Sequence, residues 1–307
     1  MAVRFDGIVR VFVAGGGGFI GSVLVRTLLA RGHSVVAYGQ TAAKLDALPP
    51  EVMRIAGDVR DRTRVASAAK DCDAIAHLAL PDASTKFRKS HPIWIEGTRS
   101  LLAVAVDRDM RSFALASGAV GTYGHVPGAW VDETAPIQLR NKITRGRGEA
   151  DDLAMDAARE SGLPVSLLRP PLVYGRGGPF AKYFLDYMRR GRYRVVGDGS
   201  NYTGFVHVED CALAYALALE RAPRGEEFIV VDDEPITLRE ASDLIADALG
   251  VRRPKSVPPF VASLVVGKVG VELVTESVRL RNAKLKARLG WSPAHPTLRE
   301  GLRTVVG

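Results

Sequence analysis

The run IVRVFVA (8–14) stops at four consecutive glycines, Gly15 to Gly18. FIGSVLVRTLLARGH then places apolar residues at helical spacing, and HSVVAY resumes a β-branched pattern. Strand, glycine turn, helix and second strand in that order constrain this chain more than any other feature, because parallel neighbours need such a crossover between them. The turn satisfies two spacings at once, Gly16-x-Gly18-x-x-Gly21 and Gly15-x-x-Gly18-x-x-Gly21. Glycines serve where the chain turns tightly, where a pyrophosphate approaches the backbone, and where the new helix packs closely on the strand. A plain flexible turn also fits these residues. The strand before, the helix after and the strand that follows on schedule select the dinucleotide-binding reading, in which Gly15, Gly18 and the first helical residues Phe19, Ile20 and Gly21 face the phosphates.

The rhythm repeats. MRIAGDV (53–59) reads as a strand, DRTRVASAAK as a helix, DAIAHLAL (73–80) as a strand and EGTRSLLAVAVDRD (96–109) as a helix. SFALAS (112–117) and VSLLRP (165–170) are further strands, with GEADDLAMDAARESG as the helix before the latter. The implied fold class is α/β, a Rossmann-like doubly wound parallel sheet with helices on both faces. After VYGRGGP (173–179) the pattern loosens into FAKYFLDYMRRG, GFVHVEDCALAYALALER, EEFIVV and TLREASDLIADALG. The expected division is a dinucleotide-binding domain over 1–174, to which 203–222 returns, and a smaller C-terminal substrate-binding domain built from 175–202 and 223–307. The smaller domain is expected over the carboxyl edge of the sheet, where ligands bind in open α/β folds.

A chain of 307 residues that is 47% hydrophobic buries a large core, which excludes intrinsic disorder. Its net charge of +8 comes mostly from scattered arginines, without a basic run interleaved with aromatics. A solvated surface that also suits an anionic cofactor accounts for that charge, and no nucleic-acid partner is expected. Cys72 and Cys211 stand in no metal or CxxC spacing, so no metal is expected and both read as thiols in a reducing cytoplasm. The N-terminus lacks the apolar stretch and cleavage site of a signal peptide. PPFVASLVVGKVGVELV (258–274) carries Lys268, Glu272 and two glycines, and reads as an amphipathic or buried helix rather than a membrane span. The expectation is a cytoplasmic monomer or homodimer with a small-molecule substrate and no membrane partner.

In dinucleotide-binding folds an acidic residue at the end of the second strand usually accepts hydrogen bonds from the NAD ribose. Here AYGQTAAK puts Gly39 and Gln40 at that point, and no acid follows until Asp46. Without a carboxylate to repel it, a 2′-phosphate can be met by Gln40, Thr41 and Lys44, which argues for NADP(H) over NAD(H).

At this point the chain resembles the extended short-chain dehydrogenase/reductase family, the relatives of nucleotide-sugar epimerases and dehydratases. AGGGGFIG is similar to the family's TGxxGxxG, with Ala14 for Thr. GDVRD (57–61) resembles the segment in which Asp58 meets the adenine, HLAL (77–80) the HLAA strand end, and EGTRSLL the GT-x-x-LL helix, although Trp94 replaces an expected Asn. LRPPLVYGRGG resembles RPxxVYG, GDGSNYTGFVHVEDCA the loop ending in FVHVxD, and LGWSPAHPTLREGL the closing LGWxP segment. The resemblance covers nearly the whole chain. It implies a nicotinamide cofactor along Asp58, Val59, Leu78, Ala79, Pro170 and Val173, and an oxidoreductase activity.

The departures fall at the reaction centre. The resemblance implies a Ser or Thr near the end of the fifth strand and a Tyr-x-x-x-Lys about twenty-five residues later; here Gly118 or Ala119 takes the first place, with Ser117 adjacent, and Ile143 and Arg147 take the others. Arg147 stays protonated and can hold ribose hydroxyls or lend positive potential, but it is a poor acid. Ser117 and Tyr123 are the other catalytic candidates, each with an ordinary alternative, a strand-end cap and a packed loop aromatic. His77 and His207 read as structural, His125 as a better-placed loop histidine. Tyr123, His125, Ile143, Tyr174, Tyr183 and Tyr187 are the expected substrate contacts. The expected activity is NADPH-dependent reduction of an aromatic polyketide or quinone-like ketone in specialised, antibiotic-type biosynthesis, the proton coming from substrate or water. A non-enzymatic NADP(H)-binding regulator or scaffold is the alternative. Sugar-nucleotide epimerisation or dehydration is disfavoured, because both need the tyrosine as a base.

Overall fold

Strand β1 (Arg10–Ala14) alternates as a strand covered on both faces must: Val11 and Val13 join one core, Phe12 and Ala14 the other, and all four are fully buried. The computed structural model describes residues 9–80 and 87–306. Ile8, from which the first strand was expected, lies outside them. Six further strands extend β1 into one parallel sheet: β2 (Ser34–Gly39), β3 (Met53–Ala56), β4 (Ala74–His77), β5 (Ser112–Ala116), β6 (Val165–Arg169) and β7 (Glu226–Ile229). Their spatial order is β3-β2-β1-β4-β5-β6-β7. The order reverses between β1 and β4, so the crevice of a doubly wound sheet opens there, at Gly15 and Leu78.

Helix α1 (Phe19–Ala30) packs on one face of the sheet, with Leu24, Val25 and Leu28 buried. On the other face lie α2 (Arg62–Ala68), α3 (Thr98–Asp107) and α4 (Lys142–Ser161), which bury Val65, Leu101 and Ala154. Helix α5 (Val208–Arg221) returns to α1's face, burying Cys211 and Tyr215 in the same core. Gly162 ends α4 at φ +74°, the left-handed conformation that closes a helix cheaply only with glycine.

A second core gathers Tyr174, Phe180, Phe205, Ile245 and Leu302, from the segment after β6, helix α6 (Leu238–Ala248) and the C-terminal helix Leu298–Val306. β7 belongs to the main sheet, paired with β6 from Glu226↔Ser166 to Ile229↔Arg169. The EEFIVV strand therefore extends the sheet beyond the boundary drawn from the sequence, since its apolar residues are buried on the sheet's edge. The expectation for 258–274 also needs correction. Helix α7 (Pro259–Thr275) is neither buried nor amphipathic in its first half: Leu264 and Val265 are 84% and 86% exposed.

Candidate active site

At the crevice, Gly15 turns the chain at φ +86°. A Cβ there would stand 2.6 Å from the Leu78 carbonyl carbon, and one at Gly21 would stand 2.1 Å from the Gly15 oxygen, so packing alone demands both glycines. Gly18 is different. A Cβ on it would meet only the Gly15 oxygen, at 3.1 Å, and the residue caps α1 without a side-chain acceptor or an acid in the first turn. The first-turn N–H groups beside Phe19, Ile20 and Gly21 therefore fit a diphosphate. Leu78 and Ala79 continue from β4 beside this turn, the Leu78 amide donating to the Ala14 carbonyl at 2.8 Å.

Beyond β2, Gln40, Thr41 and Lys44 are exposed. The turn Ala42–Lys44 folds back so closely that a Cβ at Gly17 would lie 2.3 Å from the Lys44 oxygen, which places Lys44 next to the glycine turn. Tyr38 donates to the Asp58 carbonyl at 3.0 Å. The Asp58 carboxylate accepts from the Arg60 amide at 2.9 Å and is gripped by the Arg60 guanidinium, whose side-chain hydrogen bond holds its pKa down. Arg64 lies against Gly57 and donates Nε to the Ala56 carbonyl at 2.8 Å. Arg60 and Arg64 did not stand out in the sequence, where GDVRD points only to Asp58 and DRTRVASAAK reads as a helix; the fold sets them at the ends of β2 and β3. Val59 is buried, beneath Gly97.

Helix α4 begins where it does because Asn141 caps it. Its side chain accepts from the Ile143 and Thr144 amides, both at 3.1 Å, and Thr144 Oγ1 accepts in return from the Asn141 amide at 3.3 Å. Such a cap is worth about 1 kcal/mol. The start sets Ile143, Arg147 and Asp151 on one face, a turn apart. Arg147 Nη2 donates to the Val120 carbonyl and to Thr122 Oγ1, both at 2.7 Å, and the Thr122 hydroxyl donates to the Gly118 carbonyl at 2.6 Å. A Cβ on Gly118 would stand 2.7 Å from Arg147 Nη1. The guanidinium thus uses the space that a serine or threonine side chain would need, and the departures at 118 and 147 are one coupled feature. Burial lowers the Arg147 pKa to about 10, which leaves it a cation at neutral pH. Its Nε is buried with no partner among the described residues.

Ser117 does not reach this space. Its hydroxyl donates to Asp151 at 2.7 Å and accepts from Arg169 at 3.0 Å, while Arg169 also holds Asp151 at 2.6 Å and Glu227 at 2.7 Å. The one proton Ser117 can donate is committed to that buried network, which corrects its expected role as a carbonyl partner. Tyr123 is 1% exposed and packs among Val131, Ile229 and Leu280; burial raises its pKa, and its hydroxyl has no partner among the described residues. His125 is exposed and accepts from the Ser277 amide at 3.2 Å. Glu276 and Leu273 escaped the sequence reading altogether. Glu276 accepts from the Gly121 amide at 2.7 Å across a separation of 155 residues, and Leu273 closes on the same glycine. Only the tertiary fold brings them there.

Tyr174 is fully buried in the second core, between Phe180, Phe205 and His207, and its hydroxyl donates to the Thr297 carbonyl at 3.3 Å. That position docks the C-terminal helix and removes Tyr174 from the expected substrate contacts. Tyr183 and Tyr187 stack on each other at 6.3 Å, Tyr187 being 42% exposed. Pro170 is buried and its carbonyl accepts from the Ala119 amide at 3.0 Å, while Val173 packs on the main core. His77, bonded to Thr98 and pushed down to about 3 by burial, and His207, which accepts from the Glu209 amide and meets Thr304, are structural. His207, Glu209 and His295 cluster closely enough to suggest a metal, but both His207 nitrogens are occupied.

A doubly wound sheet with an open glycine-capped helix at its switch point defines a dinucleotide-binding α/β protein. Residues 11–231 match the NAD dependent epimerase/dehydratase family, and the chain belongs to it. Among curated relatives, a 4-hydroxy-2-methyl-3-oxo-4-farnesyl-3,4-dihydroquinoline-1-oxide ketoreductase of Stigmatella aurantiaca is 30% identical, over 86% of this chain and 80% of that one. A 2-alkyl-3-oxoalkanoate reductase of Stenotrophomonas maltophilia is 29% identical, over 89% of this chain and 85% of that one. The solved UDP-glucose 4-epimerase of Thermus thermophilus, a complex with NAD, is 27% identical and superposes with a TM-score of 0.82 over 97% of each chain.

Proposed function

We propose that this protein is an NADP(H)-dependent ketoreductase of the extended short-chain type, acting on an aromatic polyketide or quinone-like ketone that supplies the proton itself or takes it from water. The observation that carries the reading is the Gly118–Arg147 pair: a guanidinium 2.7 Å from where the Gly118 Cβ would be, one helical turn from Ile143. A nicotinamide cofactor supplies hydride to such a site when bound. Arg147, a cation at working pH, offers positive potential to the oxygen that becomes negative. Ile143 offers no proton, Ser117 has spent its own on Asp151, and Tyr123 is enclosed. What remains is water or a hydroxyl beside the ketone, and the latter delivers its proton at high effective molarity.

The relatives support this reading. The Stigmatella enzyme is named for a substrate that carries a hydroxyl on the carbon next to its ketone, and the Stenotrophomonas enzyme for an oxo acid. NADP(H) is favoured over NAD(H) by Gly39, which brings no carboxylate, and by Lys44, Arg60 and Arg64 at the strand ends. The substrate lies, in this reading, between the carboxyl edge of the sheet and the second core, with Ile143, His125, Tyr183 and Tyr187 on its path.

Absorbance of NADPH followed against a panel of hydroxyketones and hydroxyquinones tests the proposal. Turnover is expected to be fastest where a free hydroxyl adjoins the ketone, and methylating that hydroxyl should slow it sharply, to the rate that water sustains. Full activity on the methylated compound would remove the neighbouring hydroxyl as the proton source, and near-complete loss in folded Ser117→Ala, Tyr123→Phe, His125→Ala or Glu276→Gln would mean that the protein supplies the proton. Tight NADPH binding without turnover on any ketone would favour the regulator.

A further inference from the structure

Helix α7 is broken at Gly267, whose φ of +73° no helix interior adopts. Its first half, PFVASLVV, buries Ala262 alone, while Phe260 is 73% exposed, Leu264 84%, Val265 86% and Val266 53%. A surface helix ordinarily turns a polar side to water. Here successive residues 264, 265 and 266 point around much of the circumference, and all are apolar, so water is the wrong neighbour for nearly the whole half-turn.

Cations surround it. Exposed Arg252, Arg253 and Lys255 lead into the helix and exposed Lys268 follows the break. Val195–Val196 pairs with Ser256–Val257 at the helix entrance, which brings exposed Arg192 and Arg194 alongside. Arg253 is partly neutralised by Asp247 at 2.8 Å, and Glu272 stands farther along the helix.

We propose that this half-helix docks the protein on an anionic lipid surface, its apolar side chains entering the acyl boundary while the surrounding arginines and lysines meet the headgroups. Charge decides between lipid and a second copy of the chain. A two-fold contact through this ridge would press Lys255, Lys268 and their arginine neighbours against themselves, on a protein that already carries +8. An anionic surface instead releases that repulsion. The docking needs no span, and among the described residues no helix is long and apolar enough to cross a membrane. It stands independently of the reaction proposed above.

Co-sedimentation of the full chain with phosphatidylcholine vesicles, with and without phosphatidylglycerol, tests it, alongside the molar mass in solution by light scattering. The wild type should partition at least about tenfold more strongly onto the anionic vesicles, less so in high salt. The triple variant Phe260→Ser, Leu264→Ser, Val265→Ser changes only exposed side chains; with its fold checked by circular dichroism, it should lose that binding, and Lys255→Glu with Lys268→Glu should weaken it. Equal partitioning onto both vesicle types, or binding undiminished in the triple variant, would overturn the proposal. A wild-type dimer that the triple variant converts to monomer would overturn it too, by showing that a second copy covers the face.

Discussion

Arg147 and Gly118 are best judged as a pair, because the guanidinium lies where a side chain at 118 would begin. Gly118→Ser puts a Cβ 2.7 Å from Arg147 Nη1, so the guanidinium must shift relative to the two acceptors that its Nη2 holds. If its charge stabilises the developing alkoxide, kcat should fall about tenfold or more. Gly118→Ser with Arg147→Lys returns a shorter cation to the site and should lose less than Gly118→Ser alone, a coupling that single-turnover rates of the four proteins would reveal. No rescue in the double variant would mean that Arg147 acts without regard to residue 118. Ser117→Ala should instead cost about 1–3 kcal/mol in urea denaturation, by leaving Asp151 and Arg169 short of a partner, with little change in kcat. The positions of these departures are legible in the sequence, since the helix GEADDLA fixes the register of Ile143 and Arg147. Their coupling is not, because 118 and 147 meet only after β5 and α4 have packed. For the same reason Ser117, adjacent in sequence to the vacant position, turns away: successive strand-end residues point to opposite sides.

Strand alternation and the glycine spacing carry most of the element-scale information in this chain, which is why the parallel sheet and the open start of α1 can be read before any coordinates. The start of α4 cannot be read so well. GEADDLA is the recognisable helical core, but Asn141 opens the helix at Lys142, ahead of that core, through a cap whose acceptors lie in a segment rich in glycine and arginine. Helix α7 is harder still, because an apolar run has the same periodicity whether it is covered or not. Two predictions belong at this scale. Gly18→Val should abolish NADPH binding by calorimetry in a folded protein, since a β-branched side chain at the α1 cap occupies the only outward opening of the turn. Normal binding would move the cofactor elsewhere. Wild type should prefer NADPH to NADH by about 1–3 kcal/mol, and Gly39→Asp should shift that preference toward NADH, because a carboxylate there opposes the 2′-phosphate. Equal affinities for both cofactors in the wild type would remove the assignment.

At the scale of the whole molecule, three buried groups carry large shifts between about pH 3 and 8, and their effects on stability differ in sign. Asp232 follows β7, where the main sheet passes into the C-terminal segments. It is 4% exposed; burial is the largest influence on its carboxyl, and the Glu234 backbone opposes it only in part. Burial pushes its pKa up to about 8, so the folded protein holds a proton that the unfolded chain releases above about 4. Through that window stability falls as pH rises, by at most about 1.4 kcal/mol per unit. His77 and His207 act in the opposite direction. Burial lowers them to about 3 and about 4, so below the ordinary histidine range the unfolded chain binds protons that the folded one refuses, and stability rises with pH until about 6.5. Above about 6.5 both histidines are neutral in either state and Asp232 alone of the three still titrates. The urea midpoint should therefore climb from acid, pass a maximum near pH 6.5, and decline toward pH 8. Asp232→Asn keeps the shape without the ionisable proton and should flatten the alkaline decline and steepen the acid limb above about pH 4, where Asp232 opposes the two histidines. An unchanged decline in that variant would mean that Asp232 is not held protonated at the junction of the two cores.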